Sequence, residues 1–419
     1  MPDLEIFAAT APGLESIAAG ELKTLGIKGR QEIGGVTFRG DLAGIYRANL
    51  WLRTASRAIV RLARFHASTF YELERRSKKL RWADFLPASG SVSIRVTCRK
   101  SKLYHSDAVA ERVMAAIATR VAGKIDLRTE NAAEEEGEGK DEERISGNAG
   151  RNSDATRNAE STEDTQLFIV RIVHDVCEIS ADSSGQLLHR RGYRQEIGKA
   201  PLRETLAAAM LLASGWKRGE SVLDPMCGSG TIPIEAALMA RGIAPGLTRR
   251  FQFMNWPSFD SQLWDQTLEV ARDAVNNAGP MQLSRIRGAD RDAGAIQAAK
   301  RNAERAGVAQ DIEFSVQSLS ESIAELEDLA DGSGWILTNP PYGVRVGDAR
   351  ELRNLYARLG SVGRFRKDWR LGILSADPTL AGQVGMQLRS RFETSNGGIP
   401  VSFLVTEKAK VHKNDERIR

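Results

Sequence analysis

From about residue 200 onwards, segments that read as strands alternate with helical ones, and this alternation restricts the fold more than any other feature of the chain. LRETLAAAMLLASGW has helical spacing, SVLDPM is a strand of the buried kind, GTIPIEAALMA a helix, SRIRGAD a strand and AGAIQAAKRNAERAG a helix. IEFSVQ and WILTNPPY follow as strands, ELRNLYARLGSVGRF as a helix, and WRLGILSAD as a strand. FETSNGGIPVSFLVTEK closes the pattern as a hairpin with a Gly-rich turn. Strands alternating with helices imply a parallel sheet covered on both faces, whose ligands bind beyond the carboxyl ends of the strands.

The first 65 residues mix short strands and helices: EIFAATAPG, LESIAAGELKTLG, GGVTFRGD, and LAGIYRANLWLRTASRAIVRL, which begins helical and ends strand-like. A further α+β stretch, VSIRVTCRKSKLYHSDAVAERVMAAIATRV, and a strand pair, LFIVRIVHDVCEIS, complete the N-terminal half. Between them residues 130–165 hold 12 acids and 4 bases and almost no large apolar side chains. Such a segment cannot bury enough surface to offset its ordering entropy, so it is expected to be a disordered insertion. The whole chain carries +5; with the local −8 of that segment set aside, the remainder carries +13. That excess fits a polyanionic partner, of which nucleic acid is the commonest, although a generic Arg-rich surface would give the same sum.

Other classes are excluded by absence. No apolar run approaches the about 18 residues of a membrane span. Asp3 and Glu5 stand where a signal peptide would be positive, so a cytoplasmic protein is expected. Cys98, Cys177 and Cys227 form no disulfide framework, and five scattered histidines form no metal cluster, so no metal is expected.

Three motifs carry chemistry. Asp224-Pro225-Met226-Cys227-Gly228-Ser229-Gly230-Thr231 lies between a strand and a helix. Gly228 and Gly230 allow the backbone to approach a ligand. Pro233 stands where a dinucleotide fingerprint needs its third glycine, and no GK[ST] follows, so neither a nicotinamide site nor a P-loop is present. An acidic residue ahead of the glycines repels phosphate and suits a cation, such as the ammonium or sulfonium of S-adenosyl-L-methionine. A tight turn with a capping Asp is the structural alternative. The second motif, Gly288-Ala289-Asp290-Arg291-Asp292, ends the next strand; Asp290 is placed to accept both hydroxyls of a ribose, and Asp292 to cap the helix that follows.

The third motif, Asn339-Pro340-Pro341-Tyr342, is the most specific. Two prolines end the strand and stiffen the loop, because neither can donate to a sheet and both have fixed φ. The Asn339 side-chain oxygen and the Pro340 carbonyl can accept both hydrogens of an exocyclic amine. Acceptors off the ring plane favour pyramidalisation and free the nitrogen lone pair to attack a sulfonium methyl. Tyr342 offers a stacking face to the base.

LDPMCGSGTIPIEAA and LTNPPYG resemble a class I S-adenosylmethionine-dependent amino-methyltransferase. RLARFHAS, SKLYHSDAVAERV, LLHRRGYRQEIGKAPLRETLAAAMLLASGW and RIRGADRDAGAIQAAKRNAERAGV narrow this to the THUMP-containing bacterial 23S rRNA guanine-N2 methyltransferases. The resemblance covers nearly the whole chain outside 130–165. It implies an α/β fold with a Rossmann-like methyltransferase domain preceded by α+β ferredoxin-like and THUMP domains. The boundaries expected are 1–64 for the ferredoxin-like piece, 65–185 for THUMP, 186–204 for a basic linker and 205–412 for the methyltransferase. Carried over, Asp224, Gly228 and Gly230 contact the cofactor, Asp290 holds its ribose, and Asn339, Pro340, Pro341 and Tyr342 form the catalytic loop. One departure stands out: such enzymes offer an Asp to the adenine amino group after the third strand, and the matching position is Ser318, which leaves adenine to Gln317 or backbone.

The run His189-Arg190-Arg191-Gly192-Tyr193-Arg194, with Lys199 and Arg203, interleaves cations with an aromatic ring. Arg190, Arg191, Arg194 and Lys199 are therefore expected to contact RNA, against the alternative of a solvated linker. The expected activity is methyl transfer to the N2 of a guanosine in 23S rRNA by a monomer. A tRNA guanosine is the rival substrate, and a non-catalytic RNA-binding or ribosome-assembly factor the rival class.

Overall fold

The computed structural model describes residues 3–86, 90–119, 125–130, 165–196, 202–278, 286–328, 333–342, 349–365 and 368–406. The acidic stretch 131–164 and Lys199 lie outside them. The chain divides into two compact units. The first comprises Met1–Arg194, Arg241–Gly279 and Ser395–Gly398; the second comprises Gln195–Ala240, Pro280–Thr394 and Ile399–Arg419.

The first unit opens with β1 (Leu4–Thr10), a helix, β2 (Gly29–Glu32), β3 (Gly35–Gly40), a second helix and β4 (Ala55–His66). This is the βαββαβ order of a ferredoxin-like fold. β5 (Gly90–Arg99), β6 (Ile125–Glu130), β7 (Thr165–Val173) and β8 (Val176–Asp182) follow, and all eight strands form one sheet in the order β2-β3-β1-β4-β8-β7-β5-β6. β4 makes this possible. It is 12 residues long, pairs with β1 from Ala55 to Arg61, and pairs with β8 from Ile59 to His66. The boundary expected at 64/65 thus falls inside a strand that both pieces share. Arg61 ties this seam: its guanidinium meets Glu5 at 3.1 Å, Glu32 at 2.9 Å, Glu178 at 3.2 Å and the Thr37 hydroxyl at 2.7 Å.

Residues 241–279, expected within the methyltransferase domain, pack with the first compact unit. The reason is aromatic. Phe251, Phe253, Trp256 and Trp264 are buried in the same core as the first-unit strands. The Tyr46 ring, on the helix Leu42–Trp51, stacks on Phe253 at 4.6 Å and meets the Trp264 edge at 5.6 Å. Two hydrogen bonds fix the arrangement: the Asp260 amide donates to the Tyr46 hydroxyl at 3.0 Å, and the Trp256 indole donates to Gln166 at 2.6 Å.

The second unit is a seven-stranded sheet in the order β11-β10-β9-β12-β13-β15-β14. Its strands are β9 (Ser221–Asp224), β10 (Ile286–Asp290), β11 (Ile312–Val316), β12 (Gly334–Thr338), β13 (Trp369–Ser375), β14 (Leu388–Asn396) and β15 (Ile399–Thr406). β9 to β13 are parallel, and β15 runs antiparallel to β13. Every residue of β12 is buried, as its unbroken apolar run requires. The helices Glu204–Ser214 and Thr231–Ala240 are apolar on nearly all sides and nearly wholly buried. Pro233 sits in the first turn of the latter, where no intrahelical amide is lost. The chain leaves β9 towards β10 and β11, then returns to β12 on the other side of β9. That reversal opens a crevice at the carboxyl ends of β9 and β12, the position at which α/β sheets bind ligands. No described helix is long and apolar enough to cross a membrane.

In the first unit Asp182 is fully buried, paired with Arg57, and accepts from the Ser184 and Gly185 amides. Burial pushes its carboxyl above the usual range, and Arg57 opposes that shift. Arg57→Ala would strand the carboxylate, so chemical denaturation is expected to show a loss of about 3–5 kcal/mol. A loss below about 1 kcal/mol would show the pair to be dispensable.

Candidate active site

β9 ends on Asp224, only 2% exposed. Its carboxylate accepts from the Thr338 hydroxyl at 2.7 Å and from the Met226 amide at 3.1 Å. Burial pushes its pKa up to about 7 against the pull of those two bonds, and the charge on Asp290 adds to the rise. The loop then turns through Gly228 at φ +53° and Gly230 at φ +84°. The two glycines differ in purpose. A Cβ on Gly228 would enter open space, so this is the position that lets a ligand reach the backbone. A Cβ on Gly230 would lie 2.9 Å from the Ala299 Cβ and 3.2 Å from the Phe314 ring, so Gly230 serves helix-to-sheet packing rather than ligand approach.

Asp290 ends β10 beside this loop. One of its oxygens accepts from the Gly228 amide at 3.0 Å and the other from the Asp292 amide at 3.0 Å. The Cys227 amide donates to the Ala289 carbonyl at 2.9 Å, which closes the loop onto β10. Asp292 caps the helix Ala293–Arg305 through the Gly294 and Ala295 amides, as its position implied. Ser318 is a cap as well. Its hydroxyl accepts from the Glu321 amide and Glu321 reaches back to the Ser318 amide at 2.7 Å, a capping box at the start of the helix Leu319–Asp328. The Gln317 side chain is held by Ser315 and Glu325, while its amide donates to the Asp290 carbonyl at 3.0 Å.

Asn339 and Pro340 follow β12 directly, with Pro340 buried and Asn339, Pro341 and Tyr342 half-buried. The Asn339 side-chain oxygen is buried and has no hydrogen-bond partner among the described residues. An acceptor left in that state is unfavourable by about 1–3 kcal/mol, so it marks a position prepared for a donor. Thr338, one residue earlier, is the link to Asp224, and the loops of β9 and β12 thereby form one site.

Sequence reading missed two positioning residues. Thr338 looked like the last residue of an apolar strand. Asn302 looked like one polar position on a helix, yet it is fully buried and donates to the Ser229 carbonyl at 3.1 Å and the Glu196 carbonyl at 3.3 Å. A polar side chain in the apolar stripe of AGAIQAAKRNAERAG was the available signal.

The basic run needs a correction. Arg191 is 5% exposed and donates to the Leu188 and Arg53 carbonyls, each at 2.6 Å, so its guanidinium is engaged within the first unit rather than extended from a solvated linker. Tyr193 is 4% exposed and offers no stacking face. Arg190 is exposed and Arg194 half-buried.

Comparison with known proteins agrees with this geometry. A family model for the RMKL-like methyltransferase domain matches residues 191–402, and one for the RlmL ferredoxin-like domain matches residues 5–59. The chain belongs to the RMKL-like methyltransferase family. Its cofactor is accordingly S-adenosylmethionine. The ribosomal RNA large subunit methyltransferase K/L of Syntrophotalea carbinolica is 36% identical over 95% of this chain and 53% of its own length. The chain therefore spans about half the length of such K/L relatives. The candidate RNA methyltransferase slr0064 of Synechocystis sp. is 34% identical over 97% of this chain and 100% of its own. A Listeria monocytogenes protein described as a predicted N6-adenine-specific DNA methylase superposes with a TM-score of 0.79 at 31% identity, covering 98% of this chain and 97% of that one. SMU.472, solved with SAH, gives 0.79 at 26% identity over 98% of this chain and 100% of that one.

The residues present fit the cofactor. Asp224 and Asp290 converge on the glycine loop with no ion-pair partner among the described residues, which suits a ligand bearing ammonium and sulfonium charges. Because the folded pKa of Asp224 is raised, its contribution to stability is greatest below the unfolded pKa and is lost as pH rises through about 7. Asp224→Asn removes that loss while keeping an acceptor for Thr338. Between pH 5 and pH 8 the free variant is expected to gain about 2–3 kcal/mol on the wild type in denaturant unfolding, and to bind S-adenosylmethionine more weakly. A gap that does not change with pH would refute the buried-carboxylate account.

Proposed function

We propose that this methyltransferase acts on the exocyclic N2 of a guanosine in 23S ribosomal RNA. The observation that carries the reading is the buried, unpartnered Asn339 oxygen at the end of β12. Asn339 accepts one hydrogen of the target amine and the Pro340 carbonyl accepts the other, while Tyr342 stacks on the base. Gly228, Asp224 and Asp290 hold the cofactor, with Gly230 setting the loop against Ala299. Bound S-adenosylmethionine supplies a methyl group on a positively charged sulfur. No strong general base is needed, because the methylated amine is a strong acid and gives its proton to water or to a nearby carbonyl.

An acceptor pair of this kind serves guanine N2 and adenine N6 alike. RNA is favoured by the +13 outside the acidic segment and by the names of the K/L and slr0064 relatives, and the Listeria protein keeps adenine in DNA as the second reading. The first unit, with its ferredoxin-like piece and a THUMP-like continuation, captures the RNA, and the reaction takes place in the cytoplasm.

Mass spectrometry of nucleosides from a deletion strain decides the substrate. N2-methylguanosine should fall in 23S rRNA; a loss confined to tRNA, or of N6-methyladenine from DNA, would reassign it. Asn339→Ala should cut single-turnover methyl transfer by at least about 10²-fold while RNA affinity stays within about twofold. Loss of RNA binding with an intact chemical step would remove Asn339 from the catalytic loop.

A further inference from the structure

The first unit contains a cavity of about 200 Å³ between the loop that follows β8 and the segment Thr248–Gln252. Arg190, Arg191, Arg249 and Arg250 line it, together with Gly185 and Gln252. Arg249 and Arg250 hydrogen-bond to neutral groups. Arg249 donates to the Gln186 carbonyl at 2.7 Å and the Leu187 carbonyl at 3.0 Å, and Arg250 donates to the Asn255 side chain at 2.9 Å. Asp182, whose charge acts on Arg249, is already engaged by Arg57 and by the Ser184 and Gly185 amides. Burial and the charges of Arg191, Arg57 and Arg190 pull the Arg249 pKa down to about 10, although Asp182 offsets part of this. Like charges have therefore been gathered in one place. A second observation is independent of charge: Gln252 is 3% exposed, and its buried amide nitrogen has no acceptor.

We propose that this pocket holds a backbone phosphate of the RNA substrate, an inference that rests on the reading of RNA as substrate. A phosphodiester would bring negative charge to Arg249 and Arg250 and an acceptor to Gln252. Of the lining residues, Arg190 and Arg250 are exposed and Gln252 is buried. The pocket's lining residues belong to the first unit, and Asp224 and Asn339 to the second. It brings together residues some 60 positions apart in sequence, which a reading of the basic run alone could not do.

The full chain is tested in two arms. In the first, filter binding of a 23S rRNA transcript is measured across a range of salt. Arg250→Ala should weaken binding by about tenfold and lower the salt slope by about 0.7–0.9, the share of one phosphate contact. Gln252→Leu leaves net charge unchanged, so its expected drop of about fivefold or more cannot come from a weaker long-range field. In the second arm, inorganic phosphate is titrated into ¹⁵N-arginine-labelled protein. The Arg249 Nε–H signal should shift in the wild type, and the shift should shrink in Gln252→Leu. Wild-type RNA affinity in both variants, each shown to be folded by its unfolding midpoint, would overturn the proposal. A phosphate response without any effect on RNA would assign the pocket to a free anion and overturn the RNA assignment. If the wild-type chain does not bind RNA at all, the proposed function fails, and the phosphate arm still judges whether this is an anion site.

Discussion

The hydrogen bond from Thr338 to Asp224 joins loops that are 114 residues apart, and the active site depends on it. It exists because β9 and β12 are parallel neighbours, so their carboxyl ends lie side by side. Asp224 is buried and accepts from that hydroxyl and from one amide, and Asp290 adds a second carboxylate to the same loop. The result is a centre whose electrostatics are unfavourable in the free protein. A cationic ligand relieves this, because an opposite charge favours the ionised form that burial opposes. If the carboxyl group of Asp224 holds the cofactor as proposed, binding and stability are coupled through it, and a substitution that calms the free protein is expected to weaken the site.

The second unit was legible in sequence because its signals are local. Alternating strands and helices give the parallel sheet, and turn chemistry places Asp224, Gly228, Asp290 and Asn339 at strand ends. The residues that position these groups were not legible, because their role comes from contacts distant in sequence. Thr338 reads as strand until β9 is placed beside it. Asn302 reads as helix surface until the Ser229 carbonyl is found against it. Ser318 illustrates the opposite case: aligned by family it is a missing adenine ligand, and by local chemistry it is a helix cap.

The packing of the segment 241–279 was not legible for a different reason. It follows the glycine-loop helix in the chain, and sequence continuity placed it with the second unit. Its buried Phe251, Phe253, Trp256 and Trp264 needed a larger apolar surface, and the helix carrying Tyr46 provides it. Burial of large rings outweighs chain proximity, since each ring removes far more apolar area from water than a loop residue does.

Net charge was the weakest guide to function, and burial explains why. Arg61 is consumed by three carboxylates at the seam of the eight-stranded sheet, Arg57 by Asp182, and Arg191 by two backbone carbonyls. These arginines were chosen for their planar forks, which satisfy several acceptors at once, and they say nothing about a partner. The informative cation is one that meets a neutral side chain while its charge stays near solvent, as Arg250 does. Sorting arginines by what they already hold, rather than counting them, is what separates the cations that build the sheet from those left to meet an anion.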